Sequence, residues 1–233
     1  MKITFISDTH TQHRKLKLIG GDVLVHAGDI MGSGYDFSEV EDFAEWFKEQ
    51  PYTHKILIAG NHDRLFDDEH IKEQVVMRQS LAGFQLRAED CQKVLKDAGI
   101  IYLNDSGITI DGIKFWGSPV QPWFCDWAFN RERGEDIKKH WDLIPLDTDI
   151  VITHGPPSHI LDKVKMRGSM NRGENVGCED LFFRLCAVNP KISCFGHIHE
   201  GYGTAVKGKT TFINASVVDE YYRQVNDPID MEL

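Results

Sequence analysis

Five short polar groups in this chain carry side chains of the types that hold metal ions: Asp8-Thr9-His10, Gly28-Asp29, Gly60-Asn61-His62-Asp63, His154-Gly155, and Gly196-His197-Ile198-His199. Each stands directly after a run of apolar residues. Carboxylate, imidazole and amide oxygen are donors for borderline or harder ions, and no cysteine is among them. The set therefore suits Mn²⁺, Fe, or Zn²⁺ in a catalytic role, and not a structural zinc site. Seven side chains (Asp8, His10, Asp29, Asn61, His154, His197 and His199) are too many for one open catalytic ion. They suit two ions sharing a carboxylate, about 3.5–4 Å apart, a pair able to hold an attacking hydroxide and the oxygens of an in-line phosphoryl displacement. Taken singly, each group has a plainer reading: an ordinary turn, or a histidine hydrogen-bonded in place. Five in succession, after five apolar runs, argue for one site.

The apolar runs are the elements that must position these groups. Residues 2–7, 22–27, 54–59, 149–153 and 191–195 are rich in branched and aromatic side chains and read as strands. The carboxyl edge of such strands is where an open α/β sheet gathers a ligand site. Residues 38–49 have helical spacing (Val40, Phe43, Ala44, Phe47) with Ser38 as the expected N-cap before Glu41. Further helices are expected at 88–98, closed by Gly99, at 135–141, and at 178–188. The Asp111-Gly112 pair between 108–110 and 113–116 is a hairpin signal, and 210–214 reads as one more strand. Part of 64–87 reads as helix, 167–177 as a Gly-, Asn- and Arg-rich surface loop, and the tail after Asp219 gives no signal. Residues 117–131 are dense in aromatics outside any period. They either seal the core, or line a pocket with Trp123 or Trp127 as a stacking surface for a flat group.

Bulk composition narrows the function. The chain has 36 acidic and 26 basic residues, a formal net charge of −10, which argues against binding a long nucleic-acid backbone. A small anionic substrate remains compatible, because bound cations supply positive charge locally. The five cysteines are odd in number and form no C-x-x-C pair, so they are not a disulfide framework. No signal-peptide pattern and no stretch of membrane-spanning length is present. A soluble, cytoplasmic protein of one domain over residues 1–233, with no membrane partner, is expected.

In order along the chain, Asp8-x-His10, Gly28-Asp29, Gly60-Asn61-His62-Asp63, His154-Gly155 and Gly196-His197-x-His199 resemble the signature of the calcineurin-like metallophosphoesterases. The wording between the motifs, His154-Gly-Pro-Pro and Gly196-His-Ile-His-Glu-Gly-Tyr-Gly203 leading to Asn214-Ala-Ser216, resembles the branch of metallophosphoesterase-domain-containing (MPPED) proteins. The resemblance implies an α/β, metallophosphoesterase-like layered fold, with central β-sheets flanked by helices in an αββα sandwich. It implies that Asp8, His10 and His199 hold a first metal, that Asn61, His154 and His197 hold a second, and that Asp29 bridges. It implies that His62 is a catalytic, non-ligand histidine near the leaving group, with Asp63 orienting that imidazole or a neighbouring ligand. Where the broad family often has a polar residue three after the bridging aspartate, this chain has Gly32. Some members of the branch carry glycine for the first histidine of the last motif; this chain keeps His197, so a complete, active centre is expected. The branch is associated with cyclic-nucleotide and general phosphodiester hydrolysis. The expected activity is therefore binuclear-metal-dependent hydrolysis of small phosphodiesters, with Mn²⁺ the first choice of metal. The alternatives are a phosphomonoesterase or protein phosphatase on the same centre, and a nucleotide-binding scaffold. The other histidines read as structural or exposed, with His13 and Glu200 near enough to the motifs to touch the site.

Overall fold

The computed structural model describes residues 1–72, 87–165 and 171–233. In chain order its strands are β1 (Lys2–Ile6), β2 (Gly21–His26), β3 (Tyr52–Leu57), β4 (Ile101–Tyr102), β5 (Ser106–Ile110), β6 (Ile113–Ser118), β7 (Gln121–Pro122), β8 (Asn130–Arg131), β9 (Ile150–Thr153), β10 (Ile192–Phe195), β11 (Gly203–Lys207), β12 (Thr210–Asn214) and β13 (Ile229–Glu232). The four helices named here are α1 (Phe37–Glu49), α2 (Ala88–Asp97), α3 (Glu135–Trp141) and α4 (Glu179–Val188). One sheet has the order β13-β1-β2-β3-β4 and the other β11-β12-β10-β9-β6-β5. Strands β1 to β4 run parallel, as do β6, β9, β10 and β12, while β13, β11 and β5 pair antiparallel at the sheet edges.

Strand alternation explains why the sheets stack. Ile3, Phe5, Val23, Val25, Ile56 and Ile58 of the first sheet pack in one core with Phe115, Ile150, Ile152, Ile192, Cys194 and Ile213 of the second. The intervening residues face the other way. Ile6, Leu24 and Leu57 meet α1 and α2 through Val40, Phe43, Phe47, Cys91 and Leu95. Trp116, Val151, Phe195 and Phe212 meet α3 and α4 through Ile137, Trp141, Leu181 and Leu185. Strands apolar on both faces are what a sheet covered on both sides requires, and the result is the expected αββα sandwich.

Several local expectations are met. Gly99 follows α2 at φ +75°, and the β5–β6 turn puts both Asp111 (φ 48°) and Gly112 (φ 81°) in the left-handed region, as a type I′ hairpin demands. One is corrected: α1 is capped by Asp36, whose carboxylate accepts the Ser38 N–H at 3.0 Å, because the helix begins at Phe37, one residue before the expected start. Residues 68–72 are helical; the rest of the helix expected within 64–87 falls largely on residues 73–86, outside the described residues, as do residues 167–170 of the expected loop. The tail is not featureless, since β13 adds to the first sheet beside β1.

Candidate metal centre

The five polar groups converge where the carboxyl ends of the two sheets meet. The loops after β1 and β2 are stitched together: the Asp8 N–H donates to the Gly28 carbonyl (2.9 Å) and the His10 N–H to the Asp29 carbonyl (3.1 Å). A parallel bridge between Ser7 and Ser216 ties the end of β1 to the end of β12 across the sheets. Asp8, His10, Asp29 and His197 all have left-handed backbones (φ 55°, 39°, 62° and 63°), a conformation costly for residues with a Cβ. Close packing forces the neighbouring glycines. A Cβ on Gly60 would lie 2.3 Å from Asp29 Oδ1, and one on Gly196 would lie 2.0 Å from Asp8 Oδ2.

Backbone carbonyls aim the imidazoles. His10 Nδ1 donates to the Met31 carbonyl (3.1 Å), His154 Nδ1 to that of Ala27 (2.9 Å) and His199 Nδ1 to that of Asp219 (3.0 Å). In each case Nε2 is left facing the carboxylates, the usual orientation of a ligand histidine. His10 Nε2 and His154 Nε2 lie 3.7 and 3.4 Å from the same oxygen, Asp29 Oδ2. His199 Nε2 lies 3.4 Å from Asp8 Oδ1. Asn61 Oδ1 is 2.8 Å from His154 Nε2 and 2.9 Å from His197 Nδ1. Among the described residues, ligand atoms within 4.8 Å of one another fall into the groups Asp8–His10–His199, Asp29–His154–His197, and His10–Asp29–His62. All seven side chains expected to be ligands are thus brought together, with Asp29 common to the two sides.

The donors fit divalent cations. His10 Nε2 is buried with no hydrogen-bond partner among the described residues, a state a cation would relieve. Burial pushes His10 down to about 4 and His197 down to about 3, so both are neutral and able to coordinate near pH 7. Burial opposes charge on His154 as well, yet the Asp29 carboxylate overrides it and raises this histidine to about 9. Burial likewise works against Asp8, but the hydrogen bond and charge of His199 hold it below the usual carboxylate range. Cation binding here would displace the proton on His154.

The residues expected beside the metals divide by contact. His62 Nδ1 donates to the Gly32 carbonyl at 2.6 Å. The His62 ring packs against Trp127, centroids 4.0 Å apart, and the Arg64 guanidinium lies 3.9 Å from the centroid of the Trp127 ring on which it stacks. Asp63 contacts backbone and not the His62 imidazole. Its carboxylate accepts N–H bonds from Gly60 (2.8 Å) and from Asp29, Ile30 and Met31 (2.9 Å each), so it pins the backbone of Asp29. Burial and the nearby Asp29 push the Asp63 carboxyl up to about 8, against those donors, which favour the charged form. His13 is not part of the site: it is buried on Asp42 (2.9 Å) and against Phe43 and Trp46.

A cleft of about 570 Å³ opens over the ligands, walled by Trp123, Phe124, Pro156, Ile198 and Tyr222 among others, with Glu200 on its lining. The aromatic segment serves both expected purposes. Ala128 and Phe129 are buried in the helix-side core, whereas Trp123 (56% exposed) and Phe124 (46% exposed) face the cleft. Three contributions from the tail escape sequence reasoning. Ser216 Oγ donates to Asp8 Oδ2 (2.7 Å), the Asp219 carbonyl holds His199, and the Tyr222 ring sits edge-on to His10 at 4.8 Å. Only Asn214-Ala-Ser216, following a strand, offered any signal.

This fold and constellation define a metal-dependent phosphoesterase, and residues 1–201 match the calcineurin-like phosphoesterase family model; the chain belongs to that family. It is 42% identical to metallophosphoesterase domain-containing protein 1 of Homo sapiens, over 98% of this chain and 69% of that protein. It is 37% identical to a UPF0046 protein of Caenorhabditis elegans, over 93% of this chain and 69% of that one. Among solved structures, the phosphopantetheinyl hydrolase of Mycobacterium tuberculosis shares the fold at a TM-score of 0.60 and 14% identity, covering 95% of this chain and 90% of that one.

Proposed function

We propose that the chain is a binuclear-metal phosphodiesterase for small substrates, cyclic nucleotides foremost. Asp8, His10 and His199 hold one ion, Asn61, His154 and His197 the other, and Asp29 bridges. The observation that carries the binuclear reading is the single Asp29 oxygen lying between His10 Nε2 and His154 Nε2. When bound, such a pair supplies a water of lowered pKa and positive charge for the phosphoryl oxygens. The protein's own part is positional. Backbone carbonyls fix which nitrogen of His10, His154 and His199 faces the centre, and Asp63 fixes the loop that carries Asp29. His62, held through Nδ1 and packed on Trp127, keeps Nε2 for the departing alkoxide, to which it gives a proton. The exposed faces of Trp123 and Phe124 offer apolar, flat surface for an organic group beside the phosphate, which supports an ester with a nucleoside-like alcohol. Mn²⁺ is the proposed metal on donor chemistry, and the cytoplasm the proposed location, in keeping with five unpaired cysteines. The test is turnover by the Mn²⁺-loaded protein of bis(p-nitrophenyl) phosphate, p-nitrophenyl phosphate, and a panel of 2′,3′- and 3′,5′-cyclic nucleotides. The expected result is diester turnover exceeding monoester turnover. Hydrolysis of the monoester alone would move the assignment to a phosphomonoesterase.

A further inference from the structure

Tyr222 lies beyond the residues that the family model matches, yet its ring stands among the ligand imidazoles. It is edge-on to His10 (centroids 4.8 Å apart, 76°) and to His199 (5.3 Å, 90°), and 6.0 Å from His62. It lines the same cleft as Asp29, Asn61 and His62. Its placement is constrained. The backbone is left-handed (φ 59°), a strained state for a tyrosine. Gln12 Nε2 donates to its carbonyl (2.7 Å), and its N–H donates to the Asp219 carbonyl (2.9 Å), the acceptor that also holds His199 Nδ1. Arg223 in turn pairs with the Asp219 carboxylate (Nε–Oδ2 2.7 Å), closing the turn. A strained, half-exposed aromatic locked over a polar site is not there for burial: its side is 48% exposed. Among the described residues its hydroxyl has no hydrogen-bond partner, so it is free to donate to a ligand.

We propose that Tyr222 is a substrate-contacting residue whose hydroxyl donates a hydrogen bond to a phosphoryl oxygen, on the side of the centre formed by Asp8, His10 and His199. This rests on the phosphoesterase reading and assigns a specificity device to it. The phenol and His62 then flank the phosphorus from two sides of His10. A phosphorothioate in which sulfur takes the oxygen facing Tyr222 loses that bond, because sulfur accepts hydrogen bonds weakly.

The experiment compares Tyr222→Phe with wild type, both loaded with Mn²⁺, in two measurements. The first is the Kd of inorganic phosphate by calorimetry. The second is kcat and KM for the separate phosphorothioate diastereomers of an aryl nucleoside phosphodiester and for the oxygen parent. Metal content is measured alongside. The expected result is about 10-fold weaker phosphate binding and about 10-fold lower kcat/KM on the parent, as loss of one good hydrogen bond gives, with metal content unchanged. The thio effect of one diastereomer shrinks in the variant while that of the other does not. Equal phosphate affinity and an unchanged thio effect in an active enzyme would overturn the role of Tyr222 and leave the phosphodiesterase reading intact. Wild-type protein that binds metal, binds no phosphate and cleaves no ester would overturn both.

Discussion

At the scale of single residues, the site separates groups that hold from groups that act, and substitution distinguishes them. Asp29 offers one oxygen to two imidazoles, at 3.7 and 3.4 Å, and the other to the His62 N–H at 2.8 Å. Asp29→Ala removes the shared donor, so bound metal falls below two per chain and phosphoesterase activity is lost. His62 is anchored by the Gly32 carbonyl through Nδ1 and by a tryptophan face. His62→Ala keeps both metals and lowers kcat by about 10²–10⁴-fold, the range for a missing general acid. Elemental analysis beside steady-state kinetics checks both; loss of metal from the His62 variant would make that residue a ligand, as its proximity to His10 and Asp29 permits. The candidate residues were legible because Asp, His and Asn recur after five apolar runs, while the part proposed for each came from the resemblance to the family. The contribution of Asp63 was only half legible. Four N–H groups from two loops meet its carboxylate, and no spacing within one segment encodes a meeting with another.

At the scale of elements, the strand ends were readable to within two residues or so, since the carboxyl halves of β1, β2, β3, β9 and β10 are mostly buried and apolar and run out into Gly or a polar candidate residue. β13 was not. Its Ile-Asp-Met-Glu alternates apolar and charged residues at a sheet edge, a pattern equally at home in a linker, and only pairing with β1 makes it a strand. The turn carrying Tyr222 is held by hydrogen bonds to Gln12 and Asp219, which leave no periodic trace. Elements also set how close the loops approach. Gly196, directly after β10, leaves no room for a Cβ: it would stand 2.0 Å from Asp8 Oδ2 and 2.2 Å from Ser7 Oγ. Gly196→Ala therefore displaces Asp8 and weakens metal binding. Gly99→Ala, at φ +75° with nothing within 4 Å, costs only the left-handed strain of about 1–2 kcal/mol and leaves metal affinity alone. Metal titration and denaturant midpoints of the pair separate crowding at the site from backbone strain.

At the scale of the whole molecule, the proposed ligands come from both sheets: Asp8, His10, Asp29 and Asn61 from loops of the first, His154, His197 and His199 from loops of the second. On the proposed ligand set, a pair of ions held by all seven would join the two sheets at one end and would bind the folded chain alone. At 100 times its Kd such a ligand adds about 2.7 kcal/mol of stability, which for a domain of this length raises Tm by about 5–10 °C. Scanning calorimetry with Mn²⁺ and with excess chelator shows that rise in wild type and its collapse in Asp29→Ala; equal Tm values in wild type under both conditions would refute cross-sheet binding. The left-handed backbone at His197 has a bearing on how this lineage can change. Glycine adopts φ 63° without strain, so a histidine-to-glycine exchange there deletes one ligand while relaxing the chain. At that one codon the backbone favours glycine, and what holds the histidine is its side chain, through Asn61, His154 and Phe124 and through the proposed metal.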